Sequence, residues 1–118
     1  MKIYRDSIIM VDFGETQGSV QKGRRPAVVI QNDIGNKYST TTIVVPITGK
    51  IKKVLPTHHE LQAKNYYCLK CDSTVLAEQV LTISKNQILD VLGHLNEEDS
   101  KKLNKILAVS ISLTNSAG

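Results

Sequence analysis

Only two cysteines, Cys68 and Cys71, occur in the 118 residues. They cannot build a disulfide framework, and both thiols are expected to be reduced in a cytosolic compartment. No run approaches the roughly 18 apolar residues of a membrane span. No charged N-terminal segment followed by an apolar signal core is present either, so the chain is expected to be cytoplasmic. No repeat or low-complexity tract stands out, and no nucleophile-elbow glycine pattern surrounds a serine. Acidic residues are scarce in the first half, with four Asp/Glu against nine Lys/Arg in residues 1–55, whereas residues 56–118 carry seven against six. A basic half favours a polyanionic partner, because Lys and Arg that neutralise phosphates release counterions.

What is present suits one domain, taken as residues 1–113 with a flexible tail at 114–118. A chain of this length buries roughly two thirds of its unfolded surface, and 41% hydrophobic with 22% charged residues is ordinary for a globular protein. Ser7 to Phe13 reads as a strand. Gly14 to Gly23 is a polar, glycine-rich loop with the character of a flap. Ala27 to Gln31 is the second strand, ended by the turn chemistry of Asn32-Asp33-Ile34-Gly35-Asn36. Thr40 to Thr48 is strongly β-prone, and Pro46 within it implies an edge or a bulge. His58 to Leu61, Tyr66 to Leu69 and Thr74 to Val80 continue a run of short strands, which argues for a small barrel or strongly bent sheet. Ser84 is placed to cap a short helix through Leu92. Asn96, with Asp99 three residues on, caps a longer one whose Leu103, Ile106, Leu107, Ser110 and Ile111 share a face. Strands first and helices last give an α+β domain.

The stretch that organises the chain is Lys22-Gly23-Arg24-Arg25-Pro26-Ala27-Val28-Val29-Ile30-Gln31-Asn32-Asp33. Pro26 fixes its own φ and pushes Arg25 into an extended conformation, so the guanidinium is aimed from the mouth of a rigid strand. Thr48 and Gln79 also lie near strand ends, and strand ends gathered on one rim can converge on one pocket. Each also has a plain structural reading, as a surface ion pair, a strand-end hydroxyl and a ladder-edge amide. Cys68-Leu69-Lys70-Cys71 could begin a zinc or redox site, with His58 and His59 as further ligands. Adjacent strand residues point to opposite faces, however, which keeps both histidines from one metal, and a structural role is preferred. His94, just after Gly93, is expected to be a satisfied histidine between two helices.

Asp12-Phe13, Gly18-Ser19, Gly23-Arg24-Arg25-Pro26, Val28-Val29-Ile30-Gln31-Asn32-Asp33, Pro46-Ile47-Thr48, Leu55-Pro56-Thr57-His58 and Glu78-Gln79-Val80-Leu81-Thr82 together resemble the MazF/PemK toxins of type II toxin–antitoxin systems. The resemblance spans about residues 4 to 113. It implies a small SH3-like, CcdB/PemK-like antiparallel β-barrel with a C-terminal helix, working as a homodimer. It also implies an endoribonuclease without metal or other cofactor, which cuts single-stranded RNA, chiefly mRNA, at short sequences and stops translation and growth. A cognate, MazE-like antitoxin with an acidic flexible tail would occupy the basic RNA groove.

By the same resemblance, the catalytic positions are Arg25 and Thr48, and Gln79 is a position near RNA. Further RNA contacts are expected from Gln17, Ser19, Gln21, Lys22 and Arg24 on one loop, from Lys50, Lys52 and Lys53 on another, and from His58. The chain departs from the family pattern at Val20, where some relatives carry a loop carboxylate, and at Leu81, where a basic residue is common. Phe13, Tyr4, Tyr38, Tyr66 and Tyr67 are the only aromatics available to stack on bases, which favours hydrogen-bond readout. Two other classes fit the same fold: a CcdB-type poison that binds gyrase, and an RNA-binding module without turnover.

Overall fold

The computed structural model describes residues 2–15, 22–51 and 53–113. Seven strands are β1 (Ser7–Asp12), β2 (Arg24–Val29), β3 (Thr41–Thr48), β4 (His58–Leu61), β5 (Ser73–Leu76), β6 (Leu81–Ser84) and β7 (Ile88–His94). Helix α1 (Asp33–Tyr38) joins β2 to β3, and α2 (Glu97–Ser110) follows β7. The strands run antiparallel in the order β4–β5–β3–β2–β1–β7, with β6 also on β3. The sheet is open, the bent-sheet alternative to a closed barrel, with β4 and β7 ending the path.

Period-two alternation places neighbouring residues in two different cores. Ile8, Val28, Val45, Ile47, Leu61 and Val75 belong to a cluster completed by Leu103 and Ile106 of α2. Ile9, Val11, Ala27, Val29, Val44 and Ile83 form the other, with Ile3 and Phe13. Because β2 and β3 bury both faces, they read as nearly continuous apolar runs. Helix α2 starts where Asn96 accepts a hydrogen bond from the Asp99 amide at 2.8 Å, and Glu97, Glu98 and Asp99 complement the positive end of its dipole. Burying Leu103 completely contributes about 2 kcal/mol.

Several elements differ from the sequence expectation, each for a physical reason. Asn32 and Asp33 do not end β2 in a simple turn; Asn32 caps α1 by accepting from the Gly35 amide at 2.8 Å. Pro46 is neither on an edge strand nor at a bulge in the β2–β3 pairing. It is buried opposite Ala27, at the point where β3 passes from β6 (through Val44) to β5 (from Ile47). Its missing N–H therefore falls at a seam between two ladders. Ser84 does cap a turn, a reciprocal capping box with Gln87, but the turn is a 3-10 piece over Lys85–Gln87 and not a helix to Leu92. Ile88–His94 instead becomes β7, because pairing with β1 satisfies its backbone. His94 is accordingly at a strand end and not between helices, its ring nitrogens near the carbonyls of Leu95 and Arg5. Tyr66 to Leu69 is a turn after the 3-10 segment Ala63–Asn65, and the strand expected from Thr74 to Val80 ends at Leu76.

Candidate active site

The polar loop expected over residues 14–23 is closed at its base by two hydrogen bonds. The Phe13 amide donates to Gly23 O at 2.9 Å, and the Gly23 amide donates to Gly14 O at 2.8 Å. Both glycines take φ near +70°, at +69° and +72°, where a side chain would be strained. That closure delivers the chain straight into β2. Across the β1–β2 ladder Arg24 stands opposite Asp12 and Arg25 opposite Val11, so the two arginines face opposite sides of the sheet. Arg25 is exposed, and its Nε donates to Lys22 O at 3.3 Å. Its terminal guanidinium nitrogens have no partner among the described residues.

The register of β2 on β3 sets Val28 opposite Val45 and Ala27 opposite Pro46. The ladder ends at that pair, and Arg25 and Thr48 each lie two residues beyond it, Arg25 near the start of β2 and Thr48 at the end of β3. Thr48 is half-buried, and its Oγ1 accepts from the Lys50 amide at 3.2 Å. Among the described residues its hydroxyl proton has no acceptor. Gly49 packs so closely on Cys71 that a Cβ there would come within 3.0 Å of its sulfur. Thr48 lies directly opposite Thr74 on β5, and Thr74 directly opposite Glu60 on β4. Thr48, Thr74 and Glu60 thus form one row across β3, β5 and β4. Thr74 and Glu60 were not expected from the sequence, since only the β3–β5–β4 register brings them beside Thr48.

His58 begins β4 with only 4% of its side chain exposed. Its Nδ1 accepts from the Leu55 amide at 3.0 Å, which leaves the proton on Nε2, 3.1 Å from Glu78 Oε2. Thr57 donates to the other Glu78 oxygen at 2.9 Å. Partial burial pushes the Glu78 carboxyl up, but hydrogen bonds from His58, from its own backbone and from Thr57 outweigh it and hold the group below its ordinary range. His58 therefore anchors the end of the Lys50–Leu55 loop, with both ring nitrogens engaged inside the protein. His59 turns the other way, its Nε2 lying 2.8 Å from Asp99 Oδ1 on α2, so the two histidines do not meet.

Lys22 and Arg24 flank Arg25, and Lys50 and Lys53 follow Thr48, all exposed. Gln79 is half-buried in the turn after β5. Gln17, Ser19, Gln21, Val20 and Lys52 lie outside the described residues. Leu81 sits opposite Val44 and packs against the second cluster, so its apolar character serves the core. Phe13 and Tyr66 are buried. Tyr4 lines a cleft of about 470 Å³ with Lys2, Lys37 and Lys85 at the other end of β3 from Thr48. Among the described residues no three His, Cys, Asp or Glu side chains gather as metal ligands, and no helix is long and apolar enough to cross a membrane.

Residues 4–111 match the family described as PemK-like, MazF-like toxin of type II toxin-antitoxin system. The chain belongs to this family. A relative from Staphylococcus saprophyticus subsp. saprophyticus, named Endoribonuclease MazF, is 44% identical over 110 residues, covering 92% of this chain and 91% of its own. Solved structures of the same fold include MazF from Deinococcus radiodurans, with a TM-score of 0.80 at 19% identity over 95% of this chain and 98% of that one. Another, titled an endoribonuclease in complex with its cognate antitoxin from Mycobacterial species, gives a TM-score of 0.80 at 21% identity, covering 97% and 99%. The MazE-MazF complex from D. radiodurans (Form-III) gives 0.77 at 17% identity, covering 97% and 100%. In this PemK/MazF-like chain the expected α+β fold, an antiparallel sheet with a C-terminal helix, is the one observed.

Proposed function

We propose that this chain is a cytoplasmic toxin endoribonuclease that cuts single-stranded RNA, chiefly mRNA, at short sequences and without a metal ion, and so stops translation and growth. The observation that carries the reading is that Arg25 and Thr48 lie at the ends of the adjacent strands β2 and β3, each two residues past their last pair, with the guanidinium ends and the hydroxyl proton unpartnered among the described residues and Lys22, Arg24, Lys50 and Lys53 exposed nearby in the chain. Membership of the toxin family supports it.

Cleavage begins with attack of the RNA 2′-hydroxyl oxygen on the adjacent phosphorus. The P–O5′ bond breaks, the 5′-oxygen takes a proton, and the products are a 2′,3′-cyclic phosphate and a 5′-hydroxyl end. Arg25 stays protonated and engages two phosphate oxygens, offsetting the charge that develops on the phosphorane and supplying hydrogen bonds toward the leaving oxygen. Thr48 donates its hydroxyl to the same phosphate. His58, held between Leu55 and Glu78, positions the basic loop that Lys50 begins. Lys22, Arg24, Lys50, Lys52 and Lys53 contact flanking phosphates, while Gln17, Ser19, Gln21 and Gln79 contribute hydrogen bonds to bases or backbone.

A cognate antitoxin with an acidic flexible segment neutralises the toxin by covering this basic rim. The protein works as a homodimer, for which Val80, Ile111 and Leu113 offer exposed apolar surface around the end of α2.

Incubation of the purified protein with a long single-stranded RNA in EDTA tests the reading. Discrete cuts bearing cyclic phosphates are expected, with little cutting of the same RNA annealed to its complement. Intact RNA, whether bound or ignored, refutes it.

A further inference from the structure

We propose that Glu60 reads a base of the bound strand, at a nucleotide next to the cut, and selects a base with an exocyclic amino group over uracil. The proposal rests on the endoribonuclease reading of Arg25 and Thr48. Glu60 is exposed, lies on the same face and row as Thr48 and Thr74, and has no hydrogen-bond or ion-pair partner among the described residues. A carboxylate this free on a surface meant for RNA faces the wrong charge for a phosphate. Ionised, it can only accept hydrogen bonds; RNA donates from the ribose 2′-hydroxyl and from base edges, and of these only the base edges differ from one nucleotide to the next.

The spacing determines which base is within reach. Two interstrand steps separate Glu60 from Thr48, roughly 10 Å of sheet. That is too far for Glu60 to touch the phosphate held between Arg25 and Thr48, so it is not the base that removes the 2′-proton. It is within reach of the adjoining nucleotide, whose phosphate or sugar meets the Thr74 hydroxyl on the way. Cytosine presents its N4 amino group to such a carboxylate, and adenine and guanine present N6 and N2 amino groups. Uracil offers one donor, N3–H, set between two carbonyl acceptors that repel the second carboxylate oxygen, and has no amino group, so the carboxylate disfavours it at that position.

Two arms test this with the full chain. In the first, random single-stranded RNA is selected by binding to Arg25→Ala, and to Arg25→Ala carrying Glu60→Gln, and the retained sequences are compared. In the second, cut sites of the otherwise unaltered protein, Glu60→Gln and Glu60→Ala are sequenced on one RNA pool. Glu60 being exposed, these substitutions leave the fold intact. The expected result is depletion of uracil by about fivefold or more at one position beside the cut, abolished in both variants while the other positions keep their preferences. Unchanged profiles overturn the proposal, as does a uniform loss of binding or cutting at every sequence. Absence of cutting by the otherwise unaltered protein defeats the endoribonuclease reading alone, because the binding arm still judges Glu60.

Discussion

His58 Nε2 lies 3.1 Å from Glu78 Oε2, and the opposite ring nitrogen accepts the Leu55 amide at 3.0 Å. One imidazole thus joins the turn after β5 to the loop that follows Thr48. With Thr57 on the second carboxylate oxygen at 2.9 Å, the arrangement fixes the approach to β4.

The Glu78 carboxyl is held below its ordinary range in the folded chain. A group of that kind contributes stability that is present above its unfolded pKa and is lost as pH falls through the folded value. Urea midpoints of the parent chain are therefore expected to drop through the acidic carboxylate range. In Glu78→Gln that part of the drop should be missing. An equal acid dependence in the two proteins would remove Glu78 from the account.

Tyr66 carries the opposite sign. Burial, and then its hydrogen bond to Asp99 Oδ2 at 2.5 Å, raise the phenol from 10.0 to about 12. The stability it contributes is complete below pH 10 and lost as pH rises toward about 12. Unfolding followed across that window should show a decline in the parent that is absent in Tyr66→Phe. Tyr66→Phe should also cost about 2 kcal/mol near neutrality, since it removes a hydrogen bond to a charged acceptor.

Leu103 is fully buried where α2 meets the sheet. Leu103→Ala should lower stability by about 2–5 kcal/mol, read from denaturant unfolding. Leu81→Arg, which restores the basic residue common in the family, should also destabilise, because Leu81 packs on the second cluster. Improved RNA binding by Leu81→Arg at unchanged stability would place that side chain on the surface instead.

The strands β1 to β4 and helix α2 were legible because their signals are local: alternation or continuous apolar runs, and the Asn96 cap. The missed elements depend on partners far along the chain. Asn36 makes α1 worth forming through hydrogen bonds with Gln31 and Thr42, whose hydroxyl donates to Asn36 Oδ1 at 2.7 Å. Residues after Gln87 become a strand because β1 lies open to them, which overrides their helical spacing. The site divides in the same way. Arg25 and Thr48 stand at strand ends beside a proline and a glycine, features visible in one dimension. Thr74 and Glu60 enter only through the pairing of β3, β5 and β4.

A double-substitution cycle on Arg25 and Thr48 tests most directly whether the two act on one phosphate. Cutting rates on single-stranded RNA in EDTA would be measured for Arg25→Ala, Thr48→Ala and the double variant. Each single change is expected to cost on the order of 100-fold or more. Both residues lie at the rim, so the folds should remain intact. If they form one unit, the double variant loses little beyond the worse single variant. Losses that multiply in full, or undiminished cutting by Arg25→Ala, would contradict the account.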